Sequence, residues 1–373
     1  MGYMRIVIDA RMLYWTGVGR YTKALLDQLA RLDHENEYVV LTRPADRGLW
    51  EPAVGAVNFR RVEVDINPYT LSEQLRLPGV IESLRPDVVH FTTANGPVTY
   101  RGAQVVTVHD LTLLDYDTSR GSAWKRLAYR LKRPVFRWIV QRKVAAAQAV
   151  IVPTQYVKDE LGRRFGVAAE RVTVTWEAAD KNLAAPEPVE RLGVGRQFLF
   201  NVGNVYPYKN MGLALEALKI LTPKYPELRL VSTARPDEFR AQLETRAREL
   251  GVADRVVWTG FVSDGELVTL YREAAAYVYP SLSEGFGLQV LESMVQGLPV
   301  VAARASCLPE IGGEAALYFD PRNAAEMAAR VAEVLDDEGL RTRLRAAGLE
   351  QAKLFSWEKL ARTTLAVYER AAK

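Results

Sequence analysis

The sequence predicts an α/β protein built from two Rossmann-like domains, each a doubly wound parallel sheet. Short apolar runs rich in β-branched residues alternate with helical patterns, and that alternation stops once and restarts. The length of 373 residues exceeds one comfortable core and suits two.

The first series of strand-like runs is Arg5 to Asp9, Tyr38 to Thr42, Phe59 to Val64, Asp87 to Phe91, Gln104 to Val108, Ala149 to Val152 and Val172 to Thr175. The second is Phe198 to Val202, Leu228 to Ser232, Arg255 to Trp258, Ala276 to Tyr279, Val300 to Ala302 and Ala316 to Phe319. Unbroken apolar strands of this kind belong to sheets covered on both faces by helices. Between the series, Pro186 and Pro188 forbid a helix and no apolar period survives, so a hinge is expected near residues 178 to 195. The domains then span 1–180 and 190–355. The tail from Ser356 to Lys373 opens on a capping serine and carries Leu360, Thr364, Val367 and Tyr368 at helical spacing, so it reads as a helix that either domain could receive.

Composition narrows the function classes. About half the residues are apolar and a quarter charged, an ordinary globular balance. Cys307, the only cysteine, excludes an internal disulfide, and no stretch reads as a signal peptide or membrane span. A reducing, cytoplasmic setting is expected. The net charge of +4 is unevenly placed: residues 1–180 carry 25 Lys/Arg and 20 Asp/Glu, the remainder 24 and 25. Within the first half, Ser119 to Ala147 holds nine basic residues and no acidic one, so an anionic partner should be met there. Trp124, Tyr129, Phe136 and Trp138 are interleaved with these cations, a composition suited to an anionic membrane surface or a lipid diphosphate. Trp124, Lys125, Arg126, Arg130, Lys132 and Arg133 are the candidate acceptor or membrane contacts. The plain alternative is a solvated helix pair, broken at Pro134, whose aromatics enter the core.

The sharpest motif is YPSLSEGFGLQVLESMVQGLPVV, from Tyr279 to Val301. A strand ends near Pro280, a glycine-bearing turn follows and a helix begins around Gly287, so the amides of Gly285, Phe286, Gly287 and Leu288 offer an anion-binding end. Glu284 lies just before that end. Glu292 sits inside a helix of apolar residues, where a carboxylate needs donors that sugar hydroxyls could supply. Alternatively Glu284 is a cap and Glu292 a surface residue. In NVGNVYPYKNMGLALEAL, Lys209 stands near a helix start, against the backbone dipole, which suggests that an anion shares its site; an exposed lysine is the alternative.

In the first half, IDARMLYWTGVGRYT places Gly17 and Gly19 between a strand and a helix, where backbone can approach a phosphate. Thr22 occupies the third position of the dinucleotide fingerprint, so that motif does not apply. His109 and Asp110 follow a buried strand directly, where ligands meet an open α/β sheet. His109 could donate to a sugar hydroxyl or be a satisfied structural histidine. The triplet Asp115, Tyr116, Asp117 leads into a loop, and no cluster with metal-ligand spacing occurs elsewhere, so no metal is expected.

Together these motifs resemble glycosyltransferase family four, of the GT-B fold, over essentially the whole chain. The carriers are DARMLYWTGVGRYT, TVHDLTLL, GFVSDGELVTLY, the spacing of Glu284 and Glu292 within SEGFGLQVLE, LPEIGGEAALYFDP and FSWEKLA. The resemblance implies two domains facing each other across a cleft, the first holding the acceptor and the second the nucleotide sugar, with the tail crossing back to the first. It gives Glu284 hydroxyls of the transferred sugar, Glu292 the ribose, and Lys209 the diphosphate with amides near Phe286 to Leu288. Gly17 and Gly19 face the donor phosphates, and His109 the sugar ring. Two departures stand out: Asn204 follows Gly203 where many members have arginine, leaving more phosphate charge to Lys209, and Gln289 replaces a common proline. Phe261 and Val262, with Arg235 and Ser263, are placed near the base.

The resemblance also implies transfer with retention of anomeric configuration, without a metal, from a nucleotide diphosphate sugar to a glycan or lipid-linked acceptor. GDP-mannose is favoured because members with the GVGRYT opening use it, with UDP-glucose or UDP-N-acetylglucosamine next. The residues offer no well-supported nucleophile, so a same-face substitution is expected, in which the departing phosphate oxygen takes the acceptor proton. Such an enzyme would work in the cytoplasm at the inner face of the plasma membrane, with no nucleic acid as partner. A nucleotide-sugar epimerase of two Rossmann domains, or a basic membrane or nucleic-acid binding module, is the rival reading.

Overall fold

The structure is a computed structural model. Its description covers residues 3–121, 123–180 and 184–373, with the side chains of all of these except 123 and 125–130. The chain folds into two compact units. Unit 1 comprises Met1–Leu114, Arg130–Glu177 and Ser356–Lys373, and unit 2 comprises Asp115–Tyr129 and Ala178–Phe355. Of the expected hinge, residues 181–183 lie outside the described residues.

The elements run β1 (Arg5–Asp9), α1 (Thr16–Leu32), β2 (Glu37–Thr42), β3 (Phe59–Glu63), α2 (Leu71–Ser83), β4 (Val88–Phe91), β5 (Gln104–Thr107), α3 (Ala123–Ala146), β6 (Ala149–Val152), α4 (Gln155–Phe165) and β7 (Val172–Val174). Then follow β8 (Phe198–Asn201), α5 (Met211–Leu221), β9 (Arg229–Ser232), α6 (Glu238–Leu250), β10 (Val256–Trp258), α7 (Asp264–Glu273), β11 (Ala276–Tyr279) and α8 (Leu288–Val295). The chain closes with β12 (Val300–Ala303), α9 (Leu308–Gly312), β13 (Ala316–Phe319), α10 (Ala324–Asp336), α11 (Glu338–Ala352) and α12 (Trp357–Ala371). Each expected strand is present within a residue or two of its expected bounds.

Both sheets are parallel throughout, in the orders β3-β2-β1-β4-β5-β6-β7 and β10-β9-β8-β11-β12-β13. Strand order reverses between β1 and β4 in the first and between β8 and β11 in the second. The crevice beyond the carboxyl ends at such a reversal is where open α/β sheets bind ligands. Central strands are buried at every position in β4, β6, β8, β11 and β12, which explains their unbroken apolar runs. Edge strand β3 instead carries exposed Arg60 and Glu63, charges that discourage pairing with another chain.

The terminal helix packs into unit 1. Ser356 caps α12 by accepting from the Lys359 amide, and Leu360, Thr364, Val367 and Tyr368 are buried. Tyr368 Oη lies 2.7 Å from His90 Nδ1, His90 Nε2 lies 2.8 Å from Thr107 Oγ1, and Thr107 meets Tyr21 Oη at 3.1 Å. This buried chain of polar groups ties α12, β4, β5 and α1 together. Burial holds the His90 imidazole well below its usual range, down to about 3, so it is neutral.

Two expectations change. Pro134 does not break the basic segment, since α3 runs unbroken from Ala123 to Ala146. An interior proline costs roughly 3 kcal/mol, and burial of Val140, Lys143 and Val144 on the inner face offsets it. Gly17 and Gly19 lie inside the first turn of α1 rather than in a loop before it. A Cβ on Gly19 would sit 2.1 Å from the Leu13 carbonyl oxygen, so packing requires that glycine, whereas nothing lies within 4 Å of one on Gly17.

Candidate active site

In unit 2 the loops after β8 and β11, the strands flanking the reversal, are tied together. Asn210, at φ 57, donates through Nδ2 to the Pro280 carbonyl at 3.1 Å and the Pro321 carbonyl at 2.8 Å. The Leu282 amide donates to the Tyr208 carbonyl at 2.8 Å. These ties bring Lys209 to Glu284. Lys209 Nζ donates to Glu284 Oε1 at 2.7 Å and to Tyr279 Oη at 3.3 Å, and both charged side chains are largely buried. Tyr279 in turn donates to Gln289 Oε1 at 3.0 Å, which gives Gln289 a place in the site.

Lys209 therefore lies in a short 3-10 turn, Pro207–Lys209, just before α5, and its anionic neighbour in the protein is the Glu284 carboxylate. Glu284 is held from behind. Its amide donates to Ser306 Oγ at 3.0 Å, and its carbonyl accepts from the Cys307 thiol at 3.3 Å. Two donors of the ammonium are thus spoken for, and an ammonium has three.

Gly287 precedes α8 at φ 82, a left-handed conformation that suits glycine, and a Cβ there would lie 2.8 Å from Leu308 Cδ2. Phe286 is buried against Phe355, which fixes the turn from Gly285 to Leu288. No side chain caps α8, and the same holds for α1 and α5. By contrast α2, α4, α6, α7, α10, α11 and α12 each have a Ser, Thr, Asp or Asn whose side chain accepts from the first turn. The uncapped starts of these longer helices are the three glycine- or lysine-bearing turns singled out by sequence, and α5 and α8 bracket the Lys209–Glu284 pair. Uncapped amides of this kind are ready donors to anionic oxygen.

Glu292 is buried rather than on the surface, and Tyr271 donates to its Oε2 at 2.7 Å. At the same sheet edge, after β9 and β10, exposed Arg235 lies over the exposed Phe261 ring at 5.8 Å, with Val262 half-buried beside it. Asn204 is exposed in the loop after β8.

In unit 1, His109 follows β5 and is mostly buried. Its Nε2 lies 2.9 Å from the Thr92 carbonyl oxygen, its Nδ1 3.3 Å from Glu177 Oε1, and the Tyr21 ring meets it edge-on at 4.7 Å. A carbonyl can only accept, so Nε2 carries a proton. The carboxylate favours a second one on Nδ1. Burial pulls the pKa down, but the Glu177 hydrogen bond and charge outweigh it and hold His109 above its usual range. Glu177 thereby favours the protonated form of the ring. Glu177 was not foreseen, because it lies 68 residues away in sequence.

Beside it, beyond the β1/β4 reversal, Arg11 is fully buried. It donates to Asp9 at 2.8 and 2.7 Å, to Glu73 at 2.6 Å and to the Ile66 carbonyl at 2.9 Å, and Asn95 donates to Glu73 at 2.8 Å. This network was also unforeseen, although charges flanking Ala10 at the end of a buried strand were a signal. On α3, Trp124 and Lys132 are exposed and Arg133 is half-buried, while the side chains of Lys125, Arg126 and Arg130 lie outside the described residues. Among the described residues no group of three or more His, Cys, Asp or Glu could hold a metal, and no helix is long and apolar enough to cross a membrane.

Two doubly wound parallel-sheet units, the second carrying a lysine–glutamate pair between uncapped helix starts, define a glycosyltransferase of the GT-B fold. The model of Glycosyltransferase Family 4 matches residues 15–181, and that of Glycosyl transferases group 1 matches residues 187–351. The chain belongs to glycosyltransferase family four and is a hexosyltransferase. It is 26% identical to the O-antigen chain mannosyltransferase B of Escherichia coli, over 95% of this chain and 96% of that one. It is 31% identical to the MMP alpha-(1->4)-mannosyltransferase of Mycolicibacterium hassiacum, over 76% and 71%. Among solved structures, Anabaena HepE in complex with UDP and glucose superposes with a TM-score of 0.72 at 19% identity, covering 97% of this chain and 98% of that one.

Proposed function

We propose that this enzyme transfers mannose from GDP-mannose, with retention and without a metal, to a glycan or lipid-linked acceptor of a cell-surface polysaccharide or glycolipid. The observation that carries the reading is the Lys209–Glu284 contact of 2.7 Å beside the uncapped start of α8. In it, the third donor of Lys209 and the amides from Phe286 to Leu288 take the diphosphate, and Glu284 takes hydroxyls of the sugar. Tyr271 orients the Glu292 carboxylate for the ribose, and Phe261 with Arg235 stacks on the base. Mannose is favoured by the two relatives named as mannosyltransferases.

Breaking the anomeric bond places new charge on the departing phosphate, and preorganised donors in a site shielded from water stabilise it without further reorganisation. Lys209 and the α8 amides supply that stabilisation. The departing phosphate oxygen takes the acceptor proton while the acceptor oxygen attacks the same face. In unit 1, Glu177 and the Thr92 carbonyl orient the His109 imidazole, and Glu177 favours its protonated form.

A thermal-shift panel of GDP, UDP and ADP, with and without chelator, followed by turnover of the matching sugars, tests the reading. Preference for GDP, chelator-insensitive release of GDP from GDP-mannose, and an α-configured product support it. Preference for UDP, a divalent-ion requirement or a trapped sugar adduct on a side chain overturns the corresponding part.

A further inference from the structure

Within unit 1, Trp15 follows β1, Tyr69 follows β3, Asn95 follows β4 and Asp110 follows β5, so all four stand at the carboxyl edge of the parallel sheet, around the β1/β4 reversal. The Trp15 and Tyr69 rings are nearly parallel, 7° apart in plane with centroids 5.7 Å apart, and the Phe136 ring stands 6.3 Å from Tyr69. Tyr69 is nevertheless 46% exposed, and Tyr14, edge-on to Trp15 at 6.0 Å, is 45% exposed. Ring surface is thus kept in water, as a contiguous group, at the edge where an open α/β sheet takes ligands.

Tyr69 is held there against its own backbone preference. Its φ is 61, a left-handed conformation that glycine takes freely and a bulky side chain avoids. Fully buried Glu73 holds it: Oε2 accepts from the Tyr69 amide at 2.9 Å and from Asn95 Nδ2 at 2.8 Å, while Oε1 takes Arg11 at 2.6 Å. The buried Arg11 cluster therefore fixes the Tyr69 backbone, and through it the ring; strain over-determined in this way marks a residue placed for what it meets. Polar groups stand beside the rings. Asn95 is 1% exposed, shares Glu73 Oε2 with the Tyr69 amide, and its Oδ1 finds no hydrogen-bond partner among the described residues. Exposed Asp110, fixed by accepting from the Thr112 amide at 2.8 Å, lies near enough for its charge to act on the Tyr69 phenol.

We infer that Trp15 and Tyr69 form a platform on which an uncharged pyranose ring of the acceptor glycan stacks, with its hydroxyls donating to Asp110 and Asn95. A pyranose presents a face of C–H groups and a rim of hydroxyls, which the rings and the two oxygen acceptors match. An alkyl chain would leave Asn95 and Asp110 without donors. A phosphate would meet the Asp110 charge, and the nearby guanidiniums are already committed, Arg11 to Asp9 and Glu73 and Arg43 to Asp46. The inference rests on the reading above that the acceptor carries a glycan, and it names the part of that acceptor which unit 1 recognises.

The test is NMR saturation transfer from the nucleotide-free full chain to methyl α-D-mannopyranoside, with cyclohexanol and inorganic phosphate as competitors. Saturation of aromatic protons should pass to the sugar ring protons in the parent and in Tyr69→Phe. Tyr69→Gly relieves the backbone, so it should melt no lower than the parent, yet bind the sugar about tenfold more weakly. Tyr69→Asn, whose side chain also tolerates the left-handed backbone, takes its place if the glycine variant does not fold. Asp110→Asn should weaken binding severalfold with the rings untouched. Sugar binding in the folded Tyr69→Gly or Tyr69→Asn protein equal to the parent's overturns the platform. So does displacement of the sugar by cyclohexanol or phosphate at the same concentration, which would make the site one for an apolar chain or an anion. A signal lost in Glu284→Gln and kept in Tyr69→Gly puts the sugar at the donor site and overturns the platform as well. GDP affinity is measured on the same proteins: if none binds GDP while the sugar signal still follows Tyr69, the donor reading fails and the platform stands.

Discussion

Lys209 and Glu284 touch, yet they should respond oppositely to substitution. Lys209→Ala removes the cation paired with Glu284 and leaves a largely buried carboxylate facing the proposed diphosphate site. Loss of one charge-assisted hydrogen bond costs about 1.5–3 kcal/mol, so Kd for the preferred nucleoside diphosphate should rise roughly 10- to 150-fold. Glu284→Gln keeps an amide oxygen within reach of Lys209 Nζ and removes a negative charge. Two like charges about 4 Å apart repel by about 4 kcal/mol at an effective dielectric of ~20, and even a fraction of that relief should leave affinity unchanged or severalfold tighter. Turnover of the intact donor should still fall about 10- to 150-fold, because the sugar hydroxyls lose their charged acceptor. Isothermal titration with the nucleoside diphosphate and steady-state kinetics with the donor read the two effects. If Glu284→Gln weakens nucleoside diphosphate binding as much as Lys209→Ala does, the pair is a structural brace and the division of labour is wrong.

Glu177→Gln should lower the His109 pKa by removing the carboxylate that outweighs burial, read by NMR titration of the imidazole. In the parent, a raised folded-state value means that the His109 stabilisation is full below the unfolded value and fades as pH rises through the folded one; an unchanged titration would contradict the influence of Glu177 on the ring. Lys143 is buried against the Phe91 ring at 3.5 Å and the Gln104 side-chain oxygen at 2.6 Å, and burial lowers its pKa to about 7. The unfolded chain then binds the extra proton between that value and about 10.5, so denaturant-measured stability relative to Lys143→Met should grow with pH across the window, by up to a few kcal/mol. Gly19→Ala should cost about 1–3 kcal/mol and lower the melting temperature, since its Cβ would meet the Leu13 backbone at 2.1 Å, while Gly17→Ala should be tolerated.

The alternation of buried strands with helices made the sheets legible, because strands covered on both faces leave long apolar runs. Helix starts at Gly287 and near Lys209 were legible through turn residues and local spacing. Local patterns could not show that Asn210 ties two loops together, and hence that Lys209 meets Glu284 across 75 residues of sequence. Glu177 was hidden for the same reason. Pro134 misled because its local cost is evident in sequence and the packing of Val140 and Val144 that offsets it is not. Gln289 illustrates the limit in reverse: an unexplained departure became the acceptor for Tyr279 once the partners were in place.

A crystal structure of the chain soaked with GDP would test the central assignment most directly. The phosphates should lie over the start of α8, with an oxygen within hydrogen-bonding distance of Lys209 Nζ and the ribose against Glu292. A nucleotide bound elsewhere, with Lys209 still paired only to Glu284 and Tyr279, would contradict it.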